Sequence, residues 1–229
     1  MSLILALETA TSSCSVALLF DGQVIALQEL NERNIHASHI TIFVEQVLAE
    51  AGKKISDLGA VAVSMGPGSY TGLRIGVSTA KGLCYALDIP LIAINTLQAM
   101  ASGLKASNTA ENRSLYCPMI DARRMEVFTA VYDSEGNEVC PTEAKIIDAD
   151  SFSELLVTNK IIFFGDGAAK CESVLGKHSN AVILTDFVNS AKDLCELSFK
   201  KFNAKQFEDV AYFEPYYLKD FLIIQPRKK

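Results

Sequence analysis

The sequence predicts an α/β protein built from two copies of one structural unit. Three observations carry this expectation. The chain opens with three strand-like runs and then alternates helix with strand. A polar stretch, "SNTAENRS" (107–114), interrupts it, and after that stretch the same order begins again. The composition agrees: 229 residues with 49% hydrophobic side chains can bury a sizeable core. The pattern divides the chain into lobes at 1–106 and 107–229, with the last segment (about 205–229) expected to pack back on the first lobe.

Taken in order, "LILALET" (3–9), "CSVALLFDG" (14–22) and "QVIALQELN" (23–31) are β-rich runs, and Asp21-Gly22 is a hairpin signal. In "HASHITIFVEQVLAEAG" (36–52), Ile40, Phe43, Val44, Val47, Leu48 and Ala51 share one helical face, and Gly52 stops the helix. "AVAVSMG" (60–66) is a buried strand, "SYTGLRIGVSTAKGLCYALD" (69–88) a helix, "PLIAIN" (90–95) a strand and "TLQAMASGLKA" (96–106) a helix. In the second half "LYCPMIDA" (115–122), "MEVFTAVYD" (125–133) and "EVCPTEAKIID" (138–148) are strand-like, with "EGN" (135–137) turning between the last two. A short helix at 150–158, a strand at 160–167, a helix at 168–176, a strand at 181–186 and a helix at 191–204 follow. Two such halves suggest the superfamily of acetate and sugar kinases, Hsp70 and actin (the ASKHA fold), with duplicated ribonuclease-H-like halves facing a cleft.

Charge and cysteine usage exclude several classes. The formal net charge is -6, so the surface as a whole does not attract nucleic acid, and a role in RNA chemistry needs a basic partner or a local patch. The dense basic cluster "PRKK" (226–229) reads as a solubilising end. Cys14, Cys84, Cys117, Cys140, Cys171 and Cys195 are widely spaced without C-x-x-C, as expected of buried reduced thiols in a cytoplasmic protein. The N-terminus lacks the basic region of a signal peptide and reads as a first strand; no apolar run reaches membrane-span length.

The distinctive stretch is "MGPGSYTGLRIG" (65–76). A Walker A loop needs G-x-x-x-x-G-K-[ST], and here no lysine follows until Lys81; the dinucleotide fingerprint needs its third glycine one residue earlier than Gly72. What remains is strand, Gly-Pro-Gly turn and helix, with Ser69 or Thr71 as the cap. Two uses stay open: a purely structural turn, or an anion or nucleotide contact through Gly66, Gly68, Ser69, Thr71 and Arg74. Gly72, Gly76 and Ala80 form a small-residue ridge that permits close approach of another helix, either of this chain or of a partner. His36 and His39 lie three apart, but no third ligand accompanies them, so they read as exposed histidines at a helix start rather than a metal site. No serine–histidine–aspartate order can be placed among three histidines. In "DARRMEVF" (121–128), Arg123 and Arg124 either pair with Asp121 or Glu126 across a hairpin or bind a carboxylate or phosphate bidentately.

Together "ALETATSSCSVAL", "GPGSYTGLRIGVSTAKGL", "IPLIAINTLQAMA", "DARRMEVFTAVY" and "FEPYYLK" resemble the TsaB (YeaZ) family of bacterial tRNA threonylcarbamoyladenosine biosynthesis proteins, in order and spacing, from Leu3 to about Lys219. The resemblance implies a partner subunit for a catalytic paralogue, TsaD, which modifies the adenosine beside the anticodon of tRNAs reading ANN codons. It also implies an ATPase, TsaE, in the assembly, and tRNA reached through the complex. The paralogue has acids where this chain has Ser12 and Ser13, and metal-holding histidines four apart where it has Thr96 and Met100. The resemblance therefore implies a pseudoenzyme with no catalytic residues, no metal and no cofactor by itself, ATP or ADP being a matter for the assembled complex. The expected partner interface is a four-helix contact through His36, His39, Ile42, Phe43, Gly72, Gly76 and Ala80, with a homodimer through the same surface when the chain is alone. The alternatives are a small-molecule kinase, which needs an acid in the "ETATSS" turn and an adenosine loop such as "FFGDGAAK" (163–170), and a glycoprotease-type peptidase, for which no zinc motif can be placed.

Overall fold

The computed structural model describes residues 2–32, 35–107 and 114–219. Strands β1 (Leu3–Glu8), β2 (Ser13–Phe20) and β3 (Gln23–Asn31) form an antiparallel meander. Asp21 and Gly22, both at positive φ, make the tight turn that the Asp-Gly pair predicts. Helix α1 (His36–Glu50) leads to β4 (Ala60–Gly66), α2 (Tyr70–Leu87), β5 (Leu91–Asn95) and α3 (Thr96–Ala106). Because β4 and β5 run parallel to β1, the first sheet has the order β3-β2-β1-β4-β5.

The second half repeats this. Strands β6 (Leu115–Asp121), β7 (Glu126–Tyr132) and β8 (Glu138–Ile146) form a meander; α4 (Ser153–Thr158), β9 (Ile161–Phe164), α5 (Glu172–Leu175), β10 (Ala181–Leu184) and α6 (Cys195–Asn203) follow. Its sheet order is β10-β9-β6-β7-β8, the same arrangement with β9 parallel to β6 and β10 parallel to β9. The polar stretch between the halves lies largely outside the described residues, as does the basic C-terminal cluster.

The cores show how the halves join. One face of the first sheet is covered by α1 and α2, whose Ile40, Phe43, Val44, Val47, Val77, Ala80 and Cys84 pack on Leu5, Leu7, Val16, Leu18 and Val63. The other face is covered from the second half: Ala191 and Leu194, in the turn entering α6, pack with Ile4, Ala17, Leu19, Ile92 and Ile94. In return α3, from the first half, sends Leu97, Met100 and Leu104 onto Tyr116, Ile120, Ile162 and Phe164 of the second sheet. Each half supplies a cover for the other. The chain then returns along the first lobe. Glu208 bridges to Leu91, and Lys81 Nζ donates to the carbonyls of Ala211 and Phe213 at 3.2 and 2.8 Å.

All six cysteines are unpaired; Cys14, Cys84, Cys117 and Cys171 are buried, and Cys140 and Cys195 half-buried. Among the described residues no helix is long and apolar enough to cross a membrane.

Candidate functional site

The repeated topology places two turns at equivalent positions, β1 to β2 and β6 to β7. The glycine stretch packs against the first, and the arginine pair forms the second.

The first turn is a buried framework. Glu8, at the end of β1, is fully enclosed, and its carboxyl accepts from the Ala10 N–H (2.6 Å) and the Ser64 hydroxyl (3.0 Å). Burial pushes its pKa up to about 7 against these stabilising contacts, so much of it is protonated near neutrality. Ala10 and Thr9 receive the glycine stretch. The Ala10 carbonyl accepts from Ser69 N–H at 2.7 Å, and the Thr9 hydroxyl donates to the Gly72 carbonyl at 2.8 Å. Ser69 caps α2 by accepting from Gly72 N–H at 3.2 Å; Thr71 makes no such cap.

This geometry gives the glycines a packing role. A Cβ on Gly68 would collide with Ala10, and one on Gly72 or Gly76 with the Thr9 carbonyl or hydroxyl. Gly66, at φ +121°, approaches the C-terminal segment so closely that a Cβ would sit 2.5 Å from the Tyr216 carbonyl oxygen; Tyr216 N–H in turn donates to the Met65 carbonyl at 2.7 Å. Gly66 N–H itself is taken by the Thr96 hydroxyl. The expected outward ridge is therefore corrected: Gly72 and Gly76 are buried against Thr9 at the end of β1, and Ala80 is buried in the core shared by α1, α2 and the first sheet.

Two further interface expectations change. Phe43 is part of the core, and His36 is buried with Nε2 3.1 Å from the Ser13 carbonyl, a side chain that ties α1 to β2 rather than an exposed histidine. His39 is half-buried beside Phe43, its Nδ1 near Ser38 Oγ and the Ile35 carbonyl. The outer surface of the helix pair is left with Ile42, 45% exposed, and Tyr85, 85% exposed.

The second turn is exposed and strained. Arg123 and Arg124 both adopt positive φ, +70° and +47°, where side chains other than glycine's are disfavoured. The turn is held by other groups. The Asp121 carboxylate accepts from Arg123 N–H at 3.0 Å, Asp166 accepts from Asp121 N–H at 2.9 Å, and Lys170 binds both the Asp121 carboxylate and the Glu126 carbonyl. Lys219 takes the Glu126 carboxylate. The two acids nearest the arginines in sequence are thus held by lysines from distant positions, and among the described residues neither guanidinium has an ion-pair partner. The "FFGDGAAK" loop is closed in the same way: Gly167 packs against the Ile120–Asp121 backbone.

The C-terminal segment brings the two turns into one surface. Tyr216 docks on Gly66, Tyr217 packs on Tyr70 with centroids 4.8 Å apart and the ring planes tilted by 32°, and Lys219 reaches Glu126 of β7. Arg74, on the exposed side of α2, lies over the Tyr70 ring at 5.5 Å. In sequence, Thr9, Ala10, Lys170 and Lys219 carry no signal of these roles; "FEPYYLK" stands out only by resemblance.

Comparison with known proteins decides the family. The family described as TsaD, tRNA N6-adenosine threonylcarbamoyltransferase, matches residues 28–222. The tRNA threonylcarbamoyladenosine biosynthesis protein TsaB of Escherichia coli (strain K12) is 34% identical over 224 residues, covering 95% of this chain and 94% of its own length. The chain belongs to the TsaB family. A solved TsaB-type structure, YeaZ from Pseudomonas aeruginosa, superposes with a TM-score of 0.79 at 25% identity, covering 95% of this chain and 100% of its own. The activator of the 2-hydroxyisocaproyl-CoA dehydratase from Clostridium difficile, solved with bound ADPNP, reaches 0.53 at 10% identity over 90% and 98% of the two chains, a likeness of fold alone. The fold itself is a duplication, two five-stranded sheets with one strand order, as the sequence pattern predicts.

Proposed function

We propose that this TsaB-family chain is a supporting subunit, without transfer chemistry of its own, for a TsaD-type threonylcarbamoyltransferase that acts beside the anticodon of tRNAs reading ANN codons. The observation that carries this reading is the fate of two positions. Where the catalytic paralogue is expected to hold metal with histidines, this chain has Thr96, fully buried with its hydroxyl accepting from Gly66 N–H at 3.1 Å, and Met100, sealed in the apolar layer between α3 and the second sheet. Neither side chain replaces histidine as a ligand, and each already has a structural task. Glu8, the buried acid of the first turn, is committed to Ala10 and Ser64.

The partner face in this proposal is the outer surface of α1 and α2, centred on Ile42 and Tyr85 in place of the inward glycines. The same face pairs two copies when the subunit is alone, and TsaE joins the assembly. In this reading nucleotide belongs to the assembled complex, which the close packing of the glycine loop on Thr9 and Ala10 supports. Incubation of the pure protein with tRNA, ATP, threonine, bicarbonate and the enzyme that makes threonylcarbamoyl adenylate is expected to give no modified tRNA until the paralogue is added. Modification by this chain alone would refute the proposal. Ile42→Asp is expected to abolish binding of the paralogue in calorimetry while leaving the fold intact.

A further inference from the structure

We infer that the surface joining the two lobes, through Arg74, Tyr70, Tyr217, Lys219 and the Arg123–Arg124 turn, is an RNA-docking strip. It rests on the proposed function for its place in tRNA chemistry, and it assigns this chain its own direct contact with RNA. The strip is continuous. Arg74 lies over Tyr70 and donates to its hydroxyl at 3.5 Å; Tyr70 packs on Tyr217; Lys219, two residues on, meets Glu126; and Glu126 N–H donates to the Arg123 carbonyl at 3.1 Å.

Three features point to RNA. First, charge: on a chain of net charge -6, this strip carries guanidiniums without carboxylate partners among the described residues, because Lys170 and Lys219 occupy Asp121 and Glu126. Arginines left in this state suit phosphate, which their planar fork binds bidentately. Second, the rings: Tyr217 is 37% exposed and packs at a 32° tilt against Tyr70, over which Arg74 lies, and an exposed ring supported in this way is a platform for an unpaired base. An acidic protein surface would use the guanidiniums and leave the rings idle. Third, the turn: Asp121, Asp166 and Lys170 bond its backbone, so the main chain that carries both arginines is fixed before any ligand arrives.

The test is fluorescence anisotropy with a labelled RNA hairpin whose loop leaves bases unpaired, beside a duplex RNA with the same number of phosphates, titrated with the protein alone over a range of salt. Arg123→Gln/Arg124→Gln removes both charges without altering the backbone burden, and circular dichroism verifies the fold. It is expected to weaken hairpin binding at least about tenfold and to lower the salt slope by about 1.4, near 0.7 for each phosphate no longer neutralised. Tyr217→Leu is expected to weaken hairpin binding by roughly five- to a hundredfold with the slope and the duplex affinity unchanged. No binding of RNA by the wild type, or unchanged binding by the arginine variant, overturns the inference. So does loss of paralogue binding in that variant with RNA binding intact, which makes the strip a protein interface. Ile42→Asp separates the two readings: it lies off the strip, so RNA binding persists even if the proposed subunit contact proves wrong.

Discussion

The β1–β2 and β6–β7 turns occupy the same place in two copies of one topology and have opposite characters. The first is buried: Glu8 organises Ala10, and Thr9 and Ala10 receive the glycines of the loop and of α2. The second is exposed, with two arginines in left-handed conformations and lysines neutralising the acids around them. What differs is the neighbour. In the first half an eighteen-residue helix, α2, presses on the turn. In the second half the equivalent connection holds only the four-residue α5 and a preceding short turn, which leave the arginines uncovered. Duplicated topology fixes where a turn lies; the length of the helix beside it decides whether that turn becomes core or surface.

The sharpest way to break this comparison is to overfill the first turn. Gly76→Leu drives a side chain into Thr9 and is expected to destabilise by about 3 kcal/mol, the upper end of overpacking losses, lowering Tm by roughly 6–12 °C. A normal melting curve would show that α2 can lift away from β1. The next effect concerns Glu8. Its folded pKa of about 7 exceeds its ordinary 4.5, so the folded state holds the proton more tightly and wild-type stability falls as pH rises from 4.5 to 7. Glu8→Gln lacks this contribution. Relative to the variant, the wild type is expected to lose up to about 3 kcal/mol between pH 4.5 and 8 in denaturant titrations, with Asp193, also raised to about 7, leaving a slope of the same sign in both proteins.

Smaller effects sharpen the contrast from the exposed side. Arg124→Gly relieves the left-handed backbone and is expected to stabilise by about 1 kcal/mol despite loss of the charge, read as a rise in the denaturant midpoint. Gly82→Ala, on α2 with open space around it, is expected to stabilise by roughly 0.5–1 kcal/mol in the same titration, the reverse of Gly76 on the same helix. Smallest is Lys219→Met. Its ion pair with Glu126 is partly exposed, and its removal is expected to change stability by less than about 1 kcal/mol in thermal melts. A larger loss would make the C-terminal segment the main tie between the lobes.

The succession of strands and helices along the chain is legible in the sequence because turn chemistry bounds the strands and periodic apolar faces mark the longer helices; Asp21-Gly22 and Gly52 are examples. The direction of the Gly72–Gly76–Ala80 ridge is not legible. Small residues four apart announce a close neighbour without identifying it, and here the neighbour of Gly72 and Gly76 is the backbone and hydroxyl of Thr9, 63 positions from Gly72. The same holds for the arginine turn. Adjacent acids offer Arg123 and Arg124 obvious partners, whereas the lysines that take those acids come from 49 and 93 residues away. His36 misleads for a related reason: its ring is anchored by a main-chain carbonyl on β2, an acceptor that every residue carries and no sequence pattern marks.

The exchange of covers between the halves has a consequence for synthesis. When the first sheet has left the ribosome, the face bearing Ile4, Ala17, Leu19, Ile92 and Ile94 has only Ala99 of α3 against it until Ala191 and Leu194 emerge about a hundred residues later. During that interval the nascent chain presents a broad apolar sheet face to its surroundings, and α3 waits with its own apolar stripe for a second sheet not yet made. A product that stops before residue 191 therefore lacks most of the cover for that face.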